Sequence, residues 1–212
     1  MSTPHSASLW TLRLAELRDL TASASPTPGG GSVACVAAAL GTSLLIMAAK
    51  ITSKSAQERA ALDAWLADAG PNLDALSAHA DRDVEVFERY MAAAALPRAT
   101  DDEKAARKAA LAAAALAAAE APLAAGRDMV RALELGLRLA RLTKKSVASD
   151  VLGGADLLSG AVLAALRNVD VNLPAIAGEA EQKRLALEAA ALTTQADALA
   201  RDIRAALAAP VG

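Results

Sequence analysis

The sequence is poor in aromatic side chains and cysteine, and it carries no excess of charge of either sign. Its 212 residues include one Phe, one Tyr, two Trp and one Cys, and 22 basic residues nearly balance 24 acidic ones. Nucleic-acid surfaces need clustered Lys and Arg and often stacking aromatic rings, so we expect no nucleic-acid partner. The single cysteine, Cys35, cannot form an internal disulfide and is expected to be a buried thiol, so no oxidising compartment is indicated.

Residue patterns for metal binding and for common catalytic sites are also missing. The two histidines, His5 and His79, stand apart, and no HxxxH, ExxH or CxxC arrangement occurs. We therefore predict no metal site and no Ser-His-Asp triad, and we interpret His79 as a surface or capping residue. No strand followed by GK[ST] is present, so a phosphate-binding P-loop is excluded as well.

Signals for secretion and for membrane insertion are weak. The first ten residues are polar and lack a basic start, so no secretory signal is predicted. The uncharged run over residues 33–49 has 17 residues, the lower limit for a membrane span. Because Ala, Gly, Ser and Thr make this run weakly hydrophobic, we favour a buried helix over the alternative of a membrane span. We expect a cytoplasmic protein with no membrane partner.

What the sequence does contain is helix-forming residues. Alanine accounts for 59 of the 212 residues, and β-branched runs of strand length are missing. Because Ala and Leu lose least on entering a helix, this composition predicts an all-α protein. We predict a single domain over residues 1–212, a bundle of six to eight helices around a buried apolar central helix. Small residues at helix contacts and an apolar content of 54% further predict a homodimer or larger assembly.

Periodicity and helix-breaking residues predict where individual helices begin and end. Trp10, Leu14 and Leu17 recur at helical spacing and predict a first helix with one apolar stripe. Ser32 is expected to cap the central helix, which runs to Lys50. Helices are predicted to stop at Gly70-Pro71 and at Pro97. Pro122 should start a new helix or kink an existing one. Ser149-Asp150 is predicted to cap the start of a later helix.

Three short stretches combine residues that suit ligand binding or catalysis. "SPTPGGGS", residues 25–32, joins three glycines to free helix amides, which favours a carboxylate, a phosphate or a heterocycle edge; the alternative is a plain turn into the helix. "VASDV" places Asp150 at a helix start, where it meets a ligand or only caps. "DRDVEVFERY" puts Asp83 and Phe87 one turn apart, as a site or as a surface acid beside a core ring.

Taken together, these stretches resemble one family of enzymes over about residues 10–205. "SPTPGGGSVA", "DVEVF", "LPRATDDEKAARKAAL", "EAPL", "SDV" and the N-V-x-V-N-L of residues 168–173 are similar, in this order, to motifs of the cyclodeaminase domain of formiminotransferase-cyclodeaminase. The same family includes stand-alone methenyltetrahydrofolate cyclohydrolases. The resemblance implies an all-α fold, usually dimeric or larger, that acts on reduced folates.

The resemblance also implies a reaction at the amidine-like carbon between N5 and N10 of tetrahydrofolate. Cyclodeaminases let N10 attack the N5-formimino carbon and expel ammonia, whereas cyclohydrolases add water to the methenyl bridge and open it to the 10-formyl compound. Both need a proton carrier and a negative charge near that carbon, for which the candidates are Asp150 and, second, Asp83. A tetrahydrofolate derivative is the substrate, and no bound cofactor or metal is implied. The candidate substrate-binding residues are Pro28, Gly29, Gly30, Gly31, Ser32, Lys50, Lys54, Ser149, Asn168 and Asn172.

Several polar positions depart from the family's pattern. Lys50 stands where the family has Asn, residues 54–58 replace a Gly-Lys-Lys-Lys-Tyr run, and residues around the Ser-Asp pair differ at Lys144, Ser146 and Leu152. These changes keep open an alternative: a diverged, non-catalytic helical binding or scaffold protein, or an enzyme for a different substrate. The scaffold alternative predicts no pocket at the glycine-rich stretch, or a pocket filled by Lys50.

Overall fold

The chain folds into a bundle of long helices, without a strand in the part that is described. The structure is a computed structural model and describes residues 8–52 and 55–208. Its α-helices are α1 (Leu14–Thr21), α2 (Gly30–Thr52), α3 (Ala56–Ala94), α4 (Asp101–Ala140), α5 (Ala148–Asn172) and α6 (Glu179–Ala208). Short 3₁₀ turns cover Leu9–Thr11, Lys145–Val147 and Leu173–Ala175. The predicted all-α class is confirmed.

The helix α2 packs on α3, α5 and, more sparsely, α4, whereas α4 packs on α3, α5 and α6 and also contacts α2, so that α4 rather than α2 contacts the most helices in the described bundle. The backbone of α2 approaches that of α5 closely because two glycines face each other. A Cβ on Gly41 would lie 2.9 Å from the carbonyl oxygen of Gly154, and one on Gly154 would lie 2.7 Å from that of Gly41. Gly31 and Ala165 line one small cavity, so α2 and α5 run antiparallel. The start of α2 and the end of α5 therefore meet at one end of the bundle.

One side of α2 is not covered by the other helices. Its large apolar side chains there are between 38% and 52% exposed, and Leu157 of α5 extends the same surface. We call this surface the apolar face and define it by Val33, Leu40, Met47, Ile51 and Leu157. The helix α2 is thus only partly covered by its neighbours and leaves one stripe available to another surface.

By length and composition alone, three helical segments are apolar enough to cross a membrane: α2, α4 and residues Lys145–Ala175. In the folded chain, 61% of the most apolar part of α2 is buried against other helices. That burial agrees with the interpretation of residues 33–49 as a bundle helix. The expected lack of a membrane partner stays a prediction.

The predicted helix stop at Gly70-Pro71 is wrong, and of the two outcomes predicted for Pro122, a new helix or a kink, the new helix does not occur. The helix α3 continues through Gly70 and Pro71 because Trp65 and Leu76, on either side, are fully buried and hold both halves in the core. The carbonyl that Pro71 leaves without its helical donor belongs to Ala67, which is exposed, so water can bind it. The helix α4 runs through Pro122 in the same way, and no new helix starts there.

The predicted first helix is divided into two pieces. Trp10 lies in a separate 3₁₀ turn, where its indole Nε1 donates to the carbonyl of Ser77 on α3 at 2.8 Å. The helix α1 begins only at Leu14, because the Glu16 carboxylate accepts a hydrogen bond from the N–H of Arg13 and closes a new helix start. Leu14 is exposed, so the predicted apolar stripe does not form.

Neither predicted serine cap is observed. The helix α2 begins at Gly30, which places Ser32 inside its first turn. The helix α5 begins at Ala148, and no side chain caps it. Ser149 and Asp150 lie inside its first turn, so the carboxylate of Asp150 is not used as a cap.

Candidate active site

The first turn of α2 offers unpaired backbone donors to the loop that precedes it. The N–H of Val33 donates to the carbonyl of Gly29 at 3.0 Å, which closes the first helical turn. The N–H groups of Gly30, Gly31 and Ser32 come before that bond and have no acceptor among the described residues. They are available to an acceptor atom of a ligand, and the helix dipole favours negative charge at the same place.

Asp83 of α3 lies against this turn, and Gly31 is the residue that permits the approach. A Cβ on Gly31 would lie 2.2 Å from Oδ1 of Asp83 and 2.7 Å from its Cγ. The Ser32 hydroxyl donates to Oδ2 of Asp83 at 2.7 Å, which fixes the orientation of the carboxylate. A Cβ on Gly30, by contrast, would meet nothing within 4 Å. The observed position of the Asp83 carboxylate therefore requires glycine at residue 31 but not at residue 30.

A cavity of about 460 Å³ opens beside Asp83, and we call it the candidate pocket. Its walls are the glycine-rich loop, the α3 side chains of Asp83, Phe87 and Tyr90, α4 at Pro122, and α5 at Asn168 and Asn172. The volume is typical of a small-molecule site, and two aromatic rings with a few convergent polar groups suit a flat, polar ligand. The residues that line the pocket come from widely separated parts of the chain, between Pro26 and Ala175.

Pro122 explains how Asn172 is held at this pocket. A proline has no N–H, so the carbonyl of Ala118, four residues earlier, loses its helical donor. The Nδ2 of Asn172 donates to that carbonyl at 3.2 Å and to the carbonyl of Asn168 at 2.7 Å. Both amide hydrogens are therefore used within the protein. The amide oxygen of Asn172 remains as the acceptor that this side chain can offer a ligand.

A narrower cavity on the far side of Asp83 contains Cys35 and His79. Burial, and to a lesser degree the charge of Asp83, raises the pKa of the Cys35 thiol to about 12, so the thiol stays protonated at neutral pH. The interpretation of His79 as a surface or capping residue is wrong: it lies partly buried in the middle of α3, with Nε2 2.9 Å from Oδ2 of Asp128. Across the described ranges, no group of three or more His, Cys, Asp or Glu side chains is placed to hold a metal ion.

Asp150, the first catalytic candidate, lies away from the candidate pocket of its own chain. Asn168 follows it by 18 residues on α5, which is five full turns, so both lie on one side of the helix about 27 Å apart. Ser149 and Lys50 share the distant end of the bundle, and Lys54 lies outside the described residues. Asp150 is partly buried and makes no hydrogen bond or ion pair within the described part of the chain.

The remaining candidates divide between the lining of the pocket and its support. Gly29, Asn168 and Asn172 line the pocket, whereas Pro28 is buried behind the loop, after a cis Thr27–Pro28 peptide, and is not part of the lining. Sequence reasoning missed Tyr90. Its position seven residues after Asp83, two helical turns along the same face, is the signal that identifies it.

The open candidate pocket disagrees with the scaffold alternative, which predicts no pocket or one filled by Lys50. Lys50 follows Gly31 by 19 residues on α2 and so lies about 28 Å from it along the helix axis. The substitutions at the distant end of the bundle therefore do not close the site at the glycine-rich loop.

Fold and site together define an all-α protein with a pocket suited to a flat, polar small molecule at the end of a helix bundle, between helix amides and a fixed carboxylate. A family model described as formiminotransferase-cyclodeaminase matches residues 13–191. The chain belongs to the formiminotransferase-cyclodeaminase family, which confirms the resemblance noted in its motifs.

Named relatives and a solved structure agree with this membership. The chain is 32% identical to a methenyltetrahydrofolate cyclohydrolase of Methylorubrum extorquens, over 85% of this chain and 88% of the relative. It is 33% identical to the formimidoyltransferase-cyclodeaminase of Gallus gallus over 73% of this chain, but it spans only 29% of that longer protein. The crystal structure of formiminotetrahydrofolate cyclodeaminase from Thermotoga maritima superposes with a TM-score of 0.81 at 28% identity, covering 92% of this chain and 96% of that one.

Proposed function

We propose that the protein is a folate one-carbon enzyme that acts on the amidine-like carbon between N5 and N10 of tetrahydrofolate. The observation that carries this proposal is the carboxylate of Asp83, held by Ser32 against Gly31 inside the candidate pocket. A fixed negative charge there is placed to balance the positive charge of an amidinium carbon. The names of the relatives, a cyclohydrolase and cyclodeaminases, support the same chemistry.

Asp83 is the proton carrier in both reactions of this class. In cyclodeamination the formimino group reacts in its protonated amidinium form, with an exocyclic NH2. Asp83 takes the proton from N10 as N10 bonds to the formimino carbon and gives it to that exocyclic nitrogen, which leaves as ammonia while the cationic methenyl bridge forms. In hydrolysis it takes a proton from the attacking water and returns it to N5 as the bond from N5 to the carbon breaks. The remaining hydroxyl proton goes to solvent as the 10-formyl carbonyl forms.

The other pocket groups hold the substrate. The free N–H groups of Gly30, Gly31 and Ser32 donate to acceptor atoms at the edge of the heterocycle. Phe87 and Tyr90 pack against its flat rings. Neither reaction consumes or supplies a redox equivalent, so the proposal includes a tetrahydrofolate derivative as substrate and no bound cofactor.

The experiment incubates the protein with 5,10-methenyltetrahydrofolate and follows its near-ultraviolet absorbance, with a parallel ammonia assay on 5-formiminotetrahydrofolate. Asp83→Asn keeps the shape of the side chain but removes the carboxylate, so we expect turnover to fall about 100-fold or more. The matched control is Asp74→Asn, an exposed carboxylate on the same helix. No acceleration of either reaction by the wild-type protein would refute the proposed function, and full activity of Asp83→Asn would remove Asp83 from the mechanism.

We further propose that a second copy of the chain covers the apolar face and completes the site. The apolar face runs along α2 from the candidate pocket at one end to Lys50 and Asp150 at the other. A twofold axis across the middle of α2 would set each pocket against the distant end of the partner. Asp150, which has no partner among the described residues of its own chain, then supplies a second carboxylate at the neighbouring pocket, while the exposed aliphatic side chains become buried.

Mixing two inactive variants tests this shared site. Asp83→Asn and Asp150→Asn are each expected to be inactive alone. After subunit exchange, half of the dimers are mixed and one of their two sites is intact, so about a quarter of wild-type activity should return. A mixture that stays inactive although light scattering shows exchanged dimers, or an active Asp150→Asn variant, would contradict the arrangement.

A further inference from the structure

The cavity on the far side of Asp83, which contains Cys35 and His79, lies between two groups that can exchange a proton. We call it the narrow cavity. Its volume is about 10 Å³, which is about the space that one water molecule needs. Asp83 and His79 are one helical turn apart on α3, and both line the cavity. A single water molecule inside it therefore lies next to both side chains.

Among the residues that line the narrow cavity, His79 is the one besides Asp83 that can accept a proton near neutral pH. The Cys35 thiol already carries its proton, since burial raises its pKa to about 12. Arg82 is always cationic, and its guanidinium lies 3.7 Å from the carboxylate of Glu85. The other lining residues are glycine, alanine and proline. Imidazole, by contrast, ordinarily gains and loses a proton in this range.

Asp128 of α4 sets the orientation and the tautomer of His79. Nε2 of His79 lies 2.9 Å from Oδ2 of Asp128, and an ionised carboxylate can only accept, so this nitrogen carries a hydrogen. Nδ1 is then the acceptor of the neutral ring, and it has no hydrogen-bond partner within residues 8–52 and 55–208. A proton on Nδ1 gives an imidazolium that Asp128 stabilises. The side chain of His79 is 18% exposed and that of Asp128 is 34% exposed, so this pair can pass a proton to solvent.

We propose that His79 is the exit for the proton that hydrolysis of the methenyl bridge releases, through a water molecule held between Asp83 and His79. The inference rests on the proposed function. A substrate in the candidate pocket covers one side of Asp83, which leaves the narrow cavity as the way out for a proton. His79 acts through Asp83 and does not touch the substrate.

The protons balance as follows. A water molecule adds to the methenyl carbon, and Asp83 moves the first of its protons to N5 as the bond from N5 to the carbon breaks. Asp83 takes the second proton as the 10-formyl carbonyl forms and passes it to the water in the narrow cavity. That water gives one of its hydrogens to Nδ1 of His79, and the imidazolium releases one proton to solvent. Each turnover releases one proton and returns both side chains to their starting forms.

Cyclodeamination makes a different demand on His79. In that reaction Asp83 gives the proton from N10 to the leaving nitrogen, so no proton has to leave through the narrow cavity. Loss of His79 should therefore slow hydrolysis and leave cyclodeamination nearly unchanged. A purely structural role of His79 would slow both reactions.

The test replaces His79 by glutamine, whose amide can still donate to Asp128 but cannot carry a proton onward. In dilute buffer without imidazole, the kcat of hydrolysis should fall about tenfold or more without a rise in KM. His79→Ala leaves space for a free imidazole molecule, so added imidazole should restore most of the hydrolysis that this variant loses. The matched control is His5→Gln, which removes the other histidine of the chain and should have no effect. A loss that imidazole does not restore would count against a proton exit.

A structural measurement separates this inference from the proposed function. A high-resolution crystal structure of the wild-type protein should show a water molecule within about 2.6–3.2 Å of both the Asp83 carboxylate and Nδ1 of His79. If no folate is turned over but this water is present, the proposed function fails and the connection between Asp83 and His79 stands. If folate is turned over but the narrow cavity holds no such water, or if His79→Gln hydrolyses the methenyl bridge at the wild-type rate, the exit through His79 is overturned.

Discussion

Replacing Gly31 by alanine tests whether the position of Asp83 depends on that glycine. The new Cβ would lie 2.2 Å from Oδ1 of Asp83, and ordinary contact needs about 3.5 Å, so the carboxylate must withdraw by about 1 Å. That movement breaks its hydrogen bond with Ser32, a loss of about 1.5–3 kcal/mol for a bond to a charged group. Alanine regains about 0.5–1 kcal/mol in a helix, so the net loss is about 0.5–2.5 kcal/mol.

Thermal unfolding and turnover should report the same displacement. A loss of that size lowers the Tm of a chain of this length by about 1–10 °C. Turnover should fall by about 100-fold, since a displacement of 1 Å in a catalytic group has effects of that order. Gly30→Ala is the matched stability control: its Cβ meets nothing within 4 Å, so the Tm should stay unchanged or rise.

A double variant decides whether Asp83 is the cause. In an Asp83→Ala background the carboxylate that meets the new Cβ is gone, so Gly31→Ala should become neutral or stabilising. If Gly31→Ala destabilises the protein as much in that background as in the wild type, the reasoning from the contact between Gly31 and Asp83 is refuted.

Three further predictions concern Asn172 and Cys35. Asn172→Ala should lower the free energy of unfolding in urea by about 1–3 kcal/mol, because the carbonyl of Ala118 loses its hydrogen-bond donor. In a Pro122→Ala background, where residue 122 has an N–H again, the same substitution should cost about 1 kcal/mol less. Equal costs in both backgrounds would contradict this explanation. Cys35 should react very slowly with iodoacetamide at pH 8 in the native protein, because a pKa of about 12 leaves roughly one thiol in ten thousand ionised. If the native protein were labelled as fast as the urea-unfolded protein, the burial of Cys35 would be contradicted. Because the unfolded thiol ionises near its ordinary value of 9.0, stability should decline between pH 9 and 12, by up to about 1.4 kcal/mol per pH unit, and Cys35→Ala should lessen that decline.

The fold class could be predicted from composition, but the helix boundaries could not be predicted reliably. The excess of Ala and Leu favours helix along the whole chain, so the all-α class does not depend on where individual helices begin and end. Gly70-Pro71 breaks a helix by local propensity, yet α3 continues because the burial of Trp65 and Leu76 outweighs the lost hydrogen bond. Ser149 and Asp150 have the propensity of caps but lie two and three residues after the cap position, which is occupied by Val147. Tertiary contacts decide these positions, and a single sequence does not reveal them.

The candidate site was predictable in its residue types and not in its assembly. The glycine-rich stretch and Asp83 each had a local signature. Their contact joins residues about fifty positions apart, and no periodicity indicates which glycine the carboxylate approaches. Asp150 shares a face of α5 with Asn168, but the antiparallel arrangement of α2 and α5 sets it at the other end of the bundle.

The crossing of α2 and α5 at Gly41 and Gly154 allows substitutions far from the candidate pocket to change its shape. A Cβ at either glycine would meet backbone of the other helix, so it is accommodated only by tilting one helix against the other, never by a rotamer change. From the crossing point at Gly154, α5 extends about 27 Å to Asn172. A small tilt of α5 at the crossing therefore moves Asn172 by a larger distance. Substitutions at these two glycines would therefore retune ligand selection without altering a single residue that the ligand touches.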